Sequence, residues 1–243
     1  MRITVHRSPA RAASAVVHHL AQGVRARPAL VLGLATGRTT IPLYARLTAL
    51  VRAGQLDLSH VTTFNLDEFW GLPATDPGSY RSFMETQLFW PAGISPGRVN
   101  FLDGMAVDAA GECARYEAAI AAAGGIDLQV LGIGANGHIG FNEPASALQA
   151  RTHLARLTPQ TRRANAALFA HDTARVPALA LSMGMATILQ ARAIVLVAMG
   201  RAKRRAVAAA VRGPLTTRVP ASFLQVHHDV EIVMDEAAAQ GLV

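Results

Sequence analysis

Five short runs rich in Val, Ile and Leu alternate along the chain with alanine-rich segments of helical spacing. Each run ends in a polar or glycine-rich turn, and a helical pattern from Pro42 to Arg52 follows the first. Short apolar runs bounded by turn residues indicate buried strands, and their alternation with helices favours βαβ units. We therefore predict a doubly wound, Rossmann-like α/β fold with a largely parallel sheet and helices on both faces. The predicted strands are 29–34, 60–66, 126–133, 193–199 and 230–235.

Polar residues follow four of these predicted strands directly. In open α/β sheets, ligands bind in the crevice outside the carboxyl ends of the strands. We therefore expect the four clusters to meet in one pocket, provided that the four strands are neighbours in the sheet. The clusters are TGRT (36–39), DE (67–68), NGHIGFNE (136–143) and GRAK (200–203).

The composition predicts one globular domain spanning residues 1–243. Hydrophobic residues make up 51% of the chain, and no linker or internal repeat divides it. No apolar run is long enough for a membrane span, and the first residues lack the apolar core of a signal peptide. Cys113, the single cysteine, cannot form an internal disulfide. We expect a cytoplasmic protein that makes no membrane contact.

The net charge of +7 raises the question of nucleic-acid binding. The basic residues are spread along the chain apart from 201–205, and no helix-turn-helix, zinc-finger or RNA-binding signature accompanies them. Small anions are therefore the expected partners, and nucleic acid is not. Lys203 is the only lysine among the 23 basic residues, which singles it out.

Two of the clusters have the chemistry of a phosphate site. Thr36–Thr39 lies between a strand and a helix, where backbone N–H groups and the helix dipole attract anions. The alternative is a capped helix start, because Thr is a common N-cap residue. Lys203 follows a strand and a glycine, which favours a phosphate contact over a Schiff base activated by neighbouring arginines.

The other two clusters carry the candidate proton-transfer groups. Asp67 and Glu68 are adjacent carboxylates, and burial would raise the pKa of at least one, as suits a general base. The alternative is a pair of solvated charges at a strand end. His138 and Glu143 lie five residues apart on a glycine-rich loop, where a carboxylate can orient an imidazole for proton transfer. Pro144 then stiffens the exit from the loop.

Two further motifs resemble cofactor or metal sites without meeting their requirements. GIGANG (132–137) matches the dinucleotide pattern, but neither a helix start nor a suitably placed acidic residue follows, so no nicotinamide cofactor is expected. His227 and His228 are adjacent, and neighbouring residues of a strand point to opposite faces, so we predict a structural or pocket-rim role and no metal site. No function is assigned to Cys113.

The order and spacing of the motifs resemble the glucosamine-6-phosphate deaminase/isomerase family from Leu30 to Ala237. Related 6-phosphogluconolactonases share a glycine–histidine turn, but they typically continue into a Ser-Leu-Phe-Pro-type run that this chain lacks. The motifs that carry the resemblance are LGLATGRTT, FNLDEFWGL, SYRSFM (79–84), LGIGANGHIGFNEP, TRRAN, VPASFLQVH and MDEAA.

The resemblance implies an amino-sugar-phosphate deaminase that opens the sugar ring, moves a proton from carbon 2 to carbon 1, and releases ammonia. Asp67 would be the base, and His138, oriented by Glu143, would serve ring opening. The resemblance implies no metal or organic cofactor. It also implies a mobile helical lid. We assign catalysis to Asp67, His138, Glu143 and Asn136. We assign substrate binding to Thr36, Gly37, Arg38, Thr39, Glu68, Gly137 and Lys203.

Three positions depart from the family pattern. Asn136 stands where many members carry aspartate, and it adds no negative charge near the imidazole. Ala167 replaces the arginine that binds phosphate from the lid, whereas Arg38 stands where the family usually has Gly or Ser. We therefore predict that Arg38 and Lys203 together hold the phosphate.

The third departure concerns regulation. Some members are hexamers activated by N-acetylglucosamine 6-phosphate, whose phosphate binds at a subunit interface. This chain keeps Ser146 there, but it has Ala147, His153 and Ala155 where a serine, an arginine and a lysine would lie. We predict hyperbolic kinetics that this ligand does not change, and we leave homo-oligomerisation open.

The same motifs admit three rival functions. Two are enzymatic: a deaminase specific for galactosamine 6-phosphate and a 6-phosphogluconolactonase-like hydrolase. The third is a non-catalytic sugar-phosphate sensor, which the retention of Asp67, His138 and Glu143 disfavours.

Overall fold

The computed structural model describes residues 1–242 of the chain. The strands are β1 (Arg2–His6), β2 (Val31–Leu34), β3 (Thr62–Asn65), β4 (Asp67–Phe69), β5 (Val99–Asn100), β6 (Leu128–Gly132), β7 (His153–Arg156), β8 (Leu179–Ser182), β9 (Ala193–Ala198) and β10 (Val230–Asp235). The helices are α1 (Pro9–Ala26), α2 (Ile41–Arg52), α3 (Tyr80–Met84), α4 (Ala109–Ala122), α5 (Pro159–Asn165), α6 (Met185–Leu189), α7 (Arg204–Arg212) and α8 (Glu236–Ala239). A π-helical turn, Glu85–Phe89, continues α3, and 3-10 turns cover Pro96–Arg98, Ala166–Phe169, Thr173–Arg175, Arg201–Lys203 and Pro220–Val226.

Seven strands form a parallel sheet in the order β1-β10-β9-β6-β2-β3-β5. All five predicted strands are in it, and the four followed by polar clusters, β9, β6, β2 and β3, are consecutive neighbours. The chain winds outward from β2 through β3 to β5, then returns to the other side of β2 with β6. This reversal places a crevice at the carboxyl ends of β2 and β6, where such folds bind ligands.

Helices cover both faces of this sheet, as predicted. Val195 and Leu196 of β9 are both buried, but they join different apolar clusters because neighbouring strand residues point to opposite faces. The cluster around Val195 includes α1 and α2, whereas the cluster around Leu196 includes α4 and α7. Ser8 and Asp108 begin α1 and α4 by accepting backbone N–H groups on their side chains. No helix among residues 1–242 is long and apolar enough to cross a membrane.

A second, antiparallel sheet of three strands, β4-β8-β7, was not predicted. It corrects the placement of Asp67 and Glu68, which begin the new strand β4 and do not end the strand before them. Leu66 bridges the two sheets: its N–H donates to Leu34 of β2 and its carbonyl accepts from Met183, just after β8. The apolar run 60–66 gave no sign of this change of partner, because Leu66 is as buried as the strand residues before it.

The connection between β7 and β8 contains α5 and two 3-10 turns, and it occupies the position expected for the helical lid. A third apolar cluster packs it against the second sheet, with Phe169 edge-on to Phe69. Ala170 and His171, at the end of the first 3-10 turn, both have positive φ, which is uncommon for residues other than glycine. The mobility of this lid stays a prediction.

Candidate active site

The turn after β2 presents backbone N–H groups and an arginine at the crevice. Gly37 has a φ of +112°, a conformation that side chains other than glycine rarely adopt, and an added Cβ would meet no atom within 4 Å. Its carbonyl accepts both the N–H and the hydroxyl of Thr40. Thr40 therefore closes the turn and does not cap α2 with its side chain, which disfavours the simple capped-helix interpretation. Arg38 is exposed.

Lys203 comes from the turn after β9 and reaches across to the loop after β6. Its Nζ donates to the carbonyl of Ile133 at 2.6 Å. Burial lowers the pKa of Lys203, and the charge of Arg38 lowers it further. The two cations expected to share a phosphate therefore lie close enough to repel each other, although they are separated by 165 positions in the sequence. An anion placed between two such cations would relieve this repulsion.

Glycines allow the loop 134–144 to fold tightly around His138. A Cβ on Gly134 would lie within 2.6 Å of three atoms of the His138 ring, so the imidazole packs where only hydrogen fits. Gly137 has a φ of +89°, and its carbonyl accepts the N–H of Ala221. The side chain of Val219 would contact any Cβ at Gly137. The glycines thus position the histidine rather than make the loop flexible.

Glu143 is the centre of a hydrogen-bond network. Its Oε2 accepts the Asn136 amide at 2.8 Å and lies 3.3 Å from Nδ1 of His138. Its Oε1 accepts the Thr161 hydroxyl and lies 3.2 Å from the Thr158 hydroxyl. Burial alone would raise the pKa of Glu143, but these bonds and the charge of His138 outweigh it and lower the pKa to about 2. Glu143 is therefore a permanent anion facing the imidazole.

Asp67 has the opposite surroundings. It is 6% exposed, and burial together with the neighbouring charge of Glu68 raises its pKa to about 8. On β8, Ser182 is its direct cross-strand partner. The loop 134–144 passes close by, because a Cβ on Gly140 would lie 3.8 Å from Oδ2 of Asp67 and 3.0 Å from the Ser182 hydroxyl. A carboxylate with this pKa takes up and returns protons near neutral pH.

Glu68 has a role that the sequence did not reveal. Its carboxylate accepts the backbone N–H groups of Phe69, Tyr80 and Arg81 at 2.8–3.0 Å. Burial raises its pKa to about 7, although these three bonds and the Arg81 charge oppose the rise. The side chain ties β4 to the start of α3, so its contacts account for its burial. Its assignment to substrate binding stays a prediction.

The candidate residues therefore come together at one edge of the sheet, as expected from the four clusters. Sequence reasoning assigned no role to Thr158, Thr161 or Ser182, each of which contacts the loop 134–144. The local signals were the pair Thr158–Pro159, which is typical of a helix start, and the TRRAN motif that begins at Thr161. By contrast, His227 is confirmed as structural: its Nε2 lies 2.8 Å from the Ala191 carbonyl. Within residues 1–242, no group of three His, Cys, Asp or Glu side chains could hold a metal ion.

Comparison with known proteins agrees with this geometry. Residues 6–233 match the model of the glucosamine-6-phosphate isomerases/6-phosphogluconolactonase family. The chain belongs to this family. Glucosamine-6-phosphate deaminase 2 of Giardia intestinalis is 50% identical over 227 residues, which cover 93% of this chain and 86% of that protein.

Solved structures of family members separate two levels of similarity. A monomeric glucosamine-6-phosphate deaminase superposes with a TM-score of 0.96 at 38% identity, covering 99% of this chain and all of that one. The 6-phosphogluconolactonase from Trypanosoma brucei reaches a TM-score of 0.75 at 20% identity, covering 100% and 98% of the two chains. The second comparison shows the shared fold alone.

The departures from the family pattern lie at three places in the structure. Asn136 still contacts Glu143, so its amide serves the network without adding charge. Ala167 is exposed on the lid and brings no cation. In the segment expected to bind an effector, His153 and Ala155 lie in β7, where Ala155 is buried and burial lowers the pKa of His153. Neither side chain supplies the fixed cation that the regulated members are expected to carry there.

Proposed function

We propose that this chain is a glucosamine-6-phosphate deaminase, which converts the amino-sugar phosphate and water to a ketose 6-phosphate and ammonia. One observation carries the proposal. Asp67 and Glu143 are carboxylates beside the same glycine loop, yet one is a proton acceptor with a pKa of about 8 and the other a fixed anion with a pKa of about 2. Isomerisation needs the first, and a histidine that shuttles protons needs the second.

Binding begins with the phosphate. The turn 36–39 supplies backbone N–H groups, and Arg38 and Lys203 supply charge. This anchor sets the sugar across the crevice, with its reacting carbons toward Asp67 and the loop 134–144. Holding the substrate by a group remote from the reacting carbons keeps those carbons aligned without blocking them.

The chemistry then divides between the two carboxylates. His138, oriented by Glu143, moves the proton of the anomeric hydroxyl to the ring oxygen and so opens the ring. Asp67 removes the proton from carbon 2 while the ammonium group gives up one of its protons to the carbonyl oxygen of carbon 1, which forms an enaminol. Asp67 then returns its proton to carbon 1, which leaves a protonated imine at carbon 2. Water adds to this imine, and the amine departs as ammonia. The oxidation of carbon 2 is matched by the reduction of carbon 1 within the same molecule, so no redox cofactor is needed.

The relatives favour this substrate over the rival functions. The deaminases compared are similar over nearly the whole chain, whereas the compared lactonase shares only the fold. A lactonase would release no ammonia, and a sensor would bind the sugar phosphate without turnover. A deaminase specific for galactosamine 6-phosphate differs only in which epimer it accepts.

One assay separates these functions. The purified protein is incubated with glucosamine 6-phosphate, galactosamine 6-phosphate or 6-phosphogluconolactone, and both ammonia and ketose phosphate are measured. We expect both products from glucosamine 6-phosphate, in equal amounts, with and without a strong chelator. Acid release from the lactone without ammonia from either amino sugar would contradict the proposal, and a loss of rate that zinc restores would contradict its metal independence.

Two further features of the protein are its cellular compartment and its oligomeric state. We propose that the protein works in the cytoplasm, because its lone Cys113 requires no oxidising compartment. The sequence left homo-oligomerisation open, and the similar deaminase of solved structure is described as monomeric. Sedimentation of the purified chain measures its assembly directly.

A further inference from the structure

The two oxygens of Glu143 are held by different parts of the molecule. Oε2 belongs to the glycine-rich loop, where it contacts Asn136 and His138. Oε1 belongs to the lid, where it contacts the hydroxyls of Thr158 and Thr161. The carboxylate therefore bridges the loop that carries the imidazole and the helix that begins the lid.

The lid threonines are themselves held in place by the start of α5. Thr158 is the N-cap residue of this helix, and its hydroxyl accepts the N–H of Thr161 at 3.2 Å. Thr161 is 2% exposed, so its hydroxyl has no water to replace Glu143. Because the Thr158 hydroxyl carries one proton and also lies 3.1 Å from the Thr161 oxygen, Thr161 is the dependable donor to Glu143.

The rest of the lid fixes where α5 sits. Asn165, at the end of α5, accepts the hydroxyl of Tyr80 at 2.8 Å. Arg162 donates to the carbonyls of Thr173 and Val176 within the lid, so its charge does not act on Glu143. The position of α5 therefore determines whether the Thr161 hydroxyl can donate to Glu143.

We propose that Thr161 is a positioning residue that fixes Glu143, and through it His138, only when α5 of the lid is seated. This inference rests on the proposed function, in which His138 opens the sugar ring. With α5 displaced, Glu143 keeps Asn136 as a donor but loses its hold on the lid side, and it can rotate away from the imidazole.

Few other charged groups lie near enough to orient His138 in place of Glu143. Asp67 approaches the loop from β4 and Lys203 from the turn after β9, and neither hydrogen bonds to Glu143 or His138. Arg163, the remaining charge on α5, is exposed. The orientation of the imidazole therefore depends on Glu143. The orientation of Glu143 depends in turn on its contacts with the loop, at Asn136 and His138, and on the two threonine hydroxyls of the lid.

The test removes one hydroxyl and keeps the shape of the side chain. Thr161→Val is compared with Thr161→Ser, which retains the hydroxyl, and with Thr187→Val. Thr187 is the matched control: it is 3% exposed and its hydroxyl also donates to a carboxylate, that of Glu117, away from His138. Melting temperatures show whether the two valine variants fold equally well.

For Thr161→Val we expect kcat to fall about ten-fold, as for the loss of a hydrogen bond to a charged group, with KM nearly unchanged. Thr161→Ser should recover most of the rate, and Thr187→Val should match the wild type. Nitrogen NMR of the free protein gives a readout independent of turnover: the imidazole of His138 should change from one tautomer to a mixture in Thr161→Val alone.

The outcomes separate the inference from the proposed function. If the wild type releases no ammonia, the function is wrong, but the NMR result still tests the link from Thr161 to His138. If the wild type is active and Thr161→Val keeps both its kcat and the His138 tautomer, the inference is overturned. A rise in KM with an unchanged kcat would also overturn it, because that would mean Thr161 serves binding only.

Discussion

Asp67 and Glu143 show how two regions of one site give the same functional group opposite properties. Asp67 starts a strand of the small antiparallel sheet, where burial raises its pKa to about 8. Glu143 lies on the loop after β6, where donors from four residues surround it and lower its pKa to about 2. Both burial and hydrogen bonding contribute: Asp67 is buried beside the charge of Glu68, whereas Glu143 is only partly buried and accepts hydrogen bonds that replace water.

The largest expected effect is at Asp67. Asp67→Asn keeps the shape of the side chain and removes the base, so ammonia release should fall by about 10²–10⁴-fold, the usual contribution of a general base. The exposed Asp57→Asn serves as the control and should leave the rate unchanged. Substantial turnover by a folded Asp67→Asn protein would mean that another group takes the proton from carbon 2.

The pH dependence of catalysis should follow Asp67 and not Glu143. Since Asp67 must be ionised to act and its pKa is about 8, kcat/KM should fall about ten-fold for each pH unit below pH 7. Glu143 stays ionised throughout this range and adds no step. Initial rates between pH 5.5 and 9 check this, and a profile that is flat from pH 6 upward would contradict the role of Asp67.

The phosphate end should respond differently from both carboxylates. Arg38→Ala removes a cation that we propose contacts the substrate phosphate, so KM should rise about ten-fold, as for the loss of one charged hydrogen bond. The value of kcat and its pH dependence should not change. Arg201→Ala, an exposed arginine in the turn of Lys203, is the control. An unchanged KM for Arg38→Ala would mean that Arg38 faces solvent.

Amide substitutions at the two carboxylates should move stability in opposite directions. Because its pKa is raised, ionisation of Asp67 destabilises the fold as the pH rises from about 4 to 8. The melting temperature of Asp67→Asn should therefore exceed that of the wild type at pH 8 and equal it at pH 4. A lowered pKa means that ionised Glu143 stabilises the fold above about pH 4.5, so Glu143→Gln should melt lower at pH 7, with the difference vanishing toward pH 2.

Each kcal/mol corresponds to about 2–4 °C in a domain of this size, so differences of several degrees are expected in both cases. Thermal melts of the wild type and the two variants across this pH range measure them. Shifts in the same direction at pH 8 would show that the two surroundings differ less than their hydrogen bonds indicate.

Addition of N-acetylglucosamine 6-phosphate is expected to have no effect on the kinetics. N-acetylglucosamine 6-phosphate should leave the substrate curve hyperbolic and unchanged, because Ala147, His153 and Ala155 supply neither the hydroxyl nor the two fixed cations expected of the regulated members. An effector must bind one state better than another, and the contacts that could distinguish states are absent from these positions. A sigmoidal curve that this ligand makes hyperbolic would refute the prediction.

Local patterns in the sequence determined much of the fold and the chemistry. The central strands, the helix after β2 and the polar clusters at the strand ends were all readable, because each depends on a few consecutive residues and on the burial of their apolar side chains. The chemistry of His138 with Glu143 was also local, since the loop between them is short and its glycines allow the tight turn that brings Nδ1 to the carboxylate.

Tertiary structure decided the features that depend on distant partners. The order of the strands, and hence the meeting of Lys203 with Arg38, is set by the pairing of β6 with both β2 and β9, which no local pattern records. Strands β4, β7 and β8 have three or four residues each, and β4 and β8 contain buried polar groups, so the strands are too short and too mixed for a periodic signal. The pKa of Asp67 and the hold of Thr161 on Glu143 follow from that second sheet, because burial and hydrogen-bond partners exist only once the chain has folded.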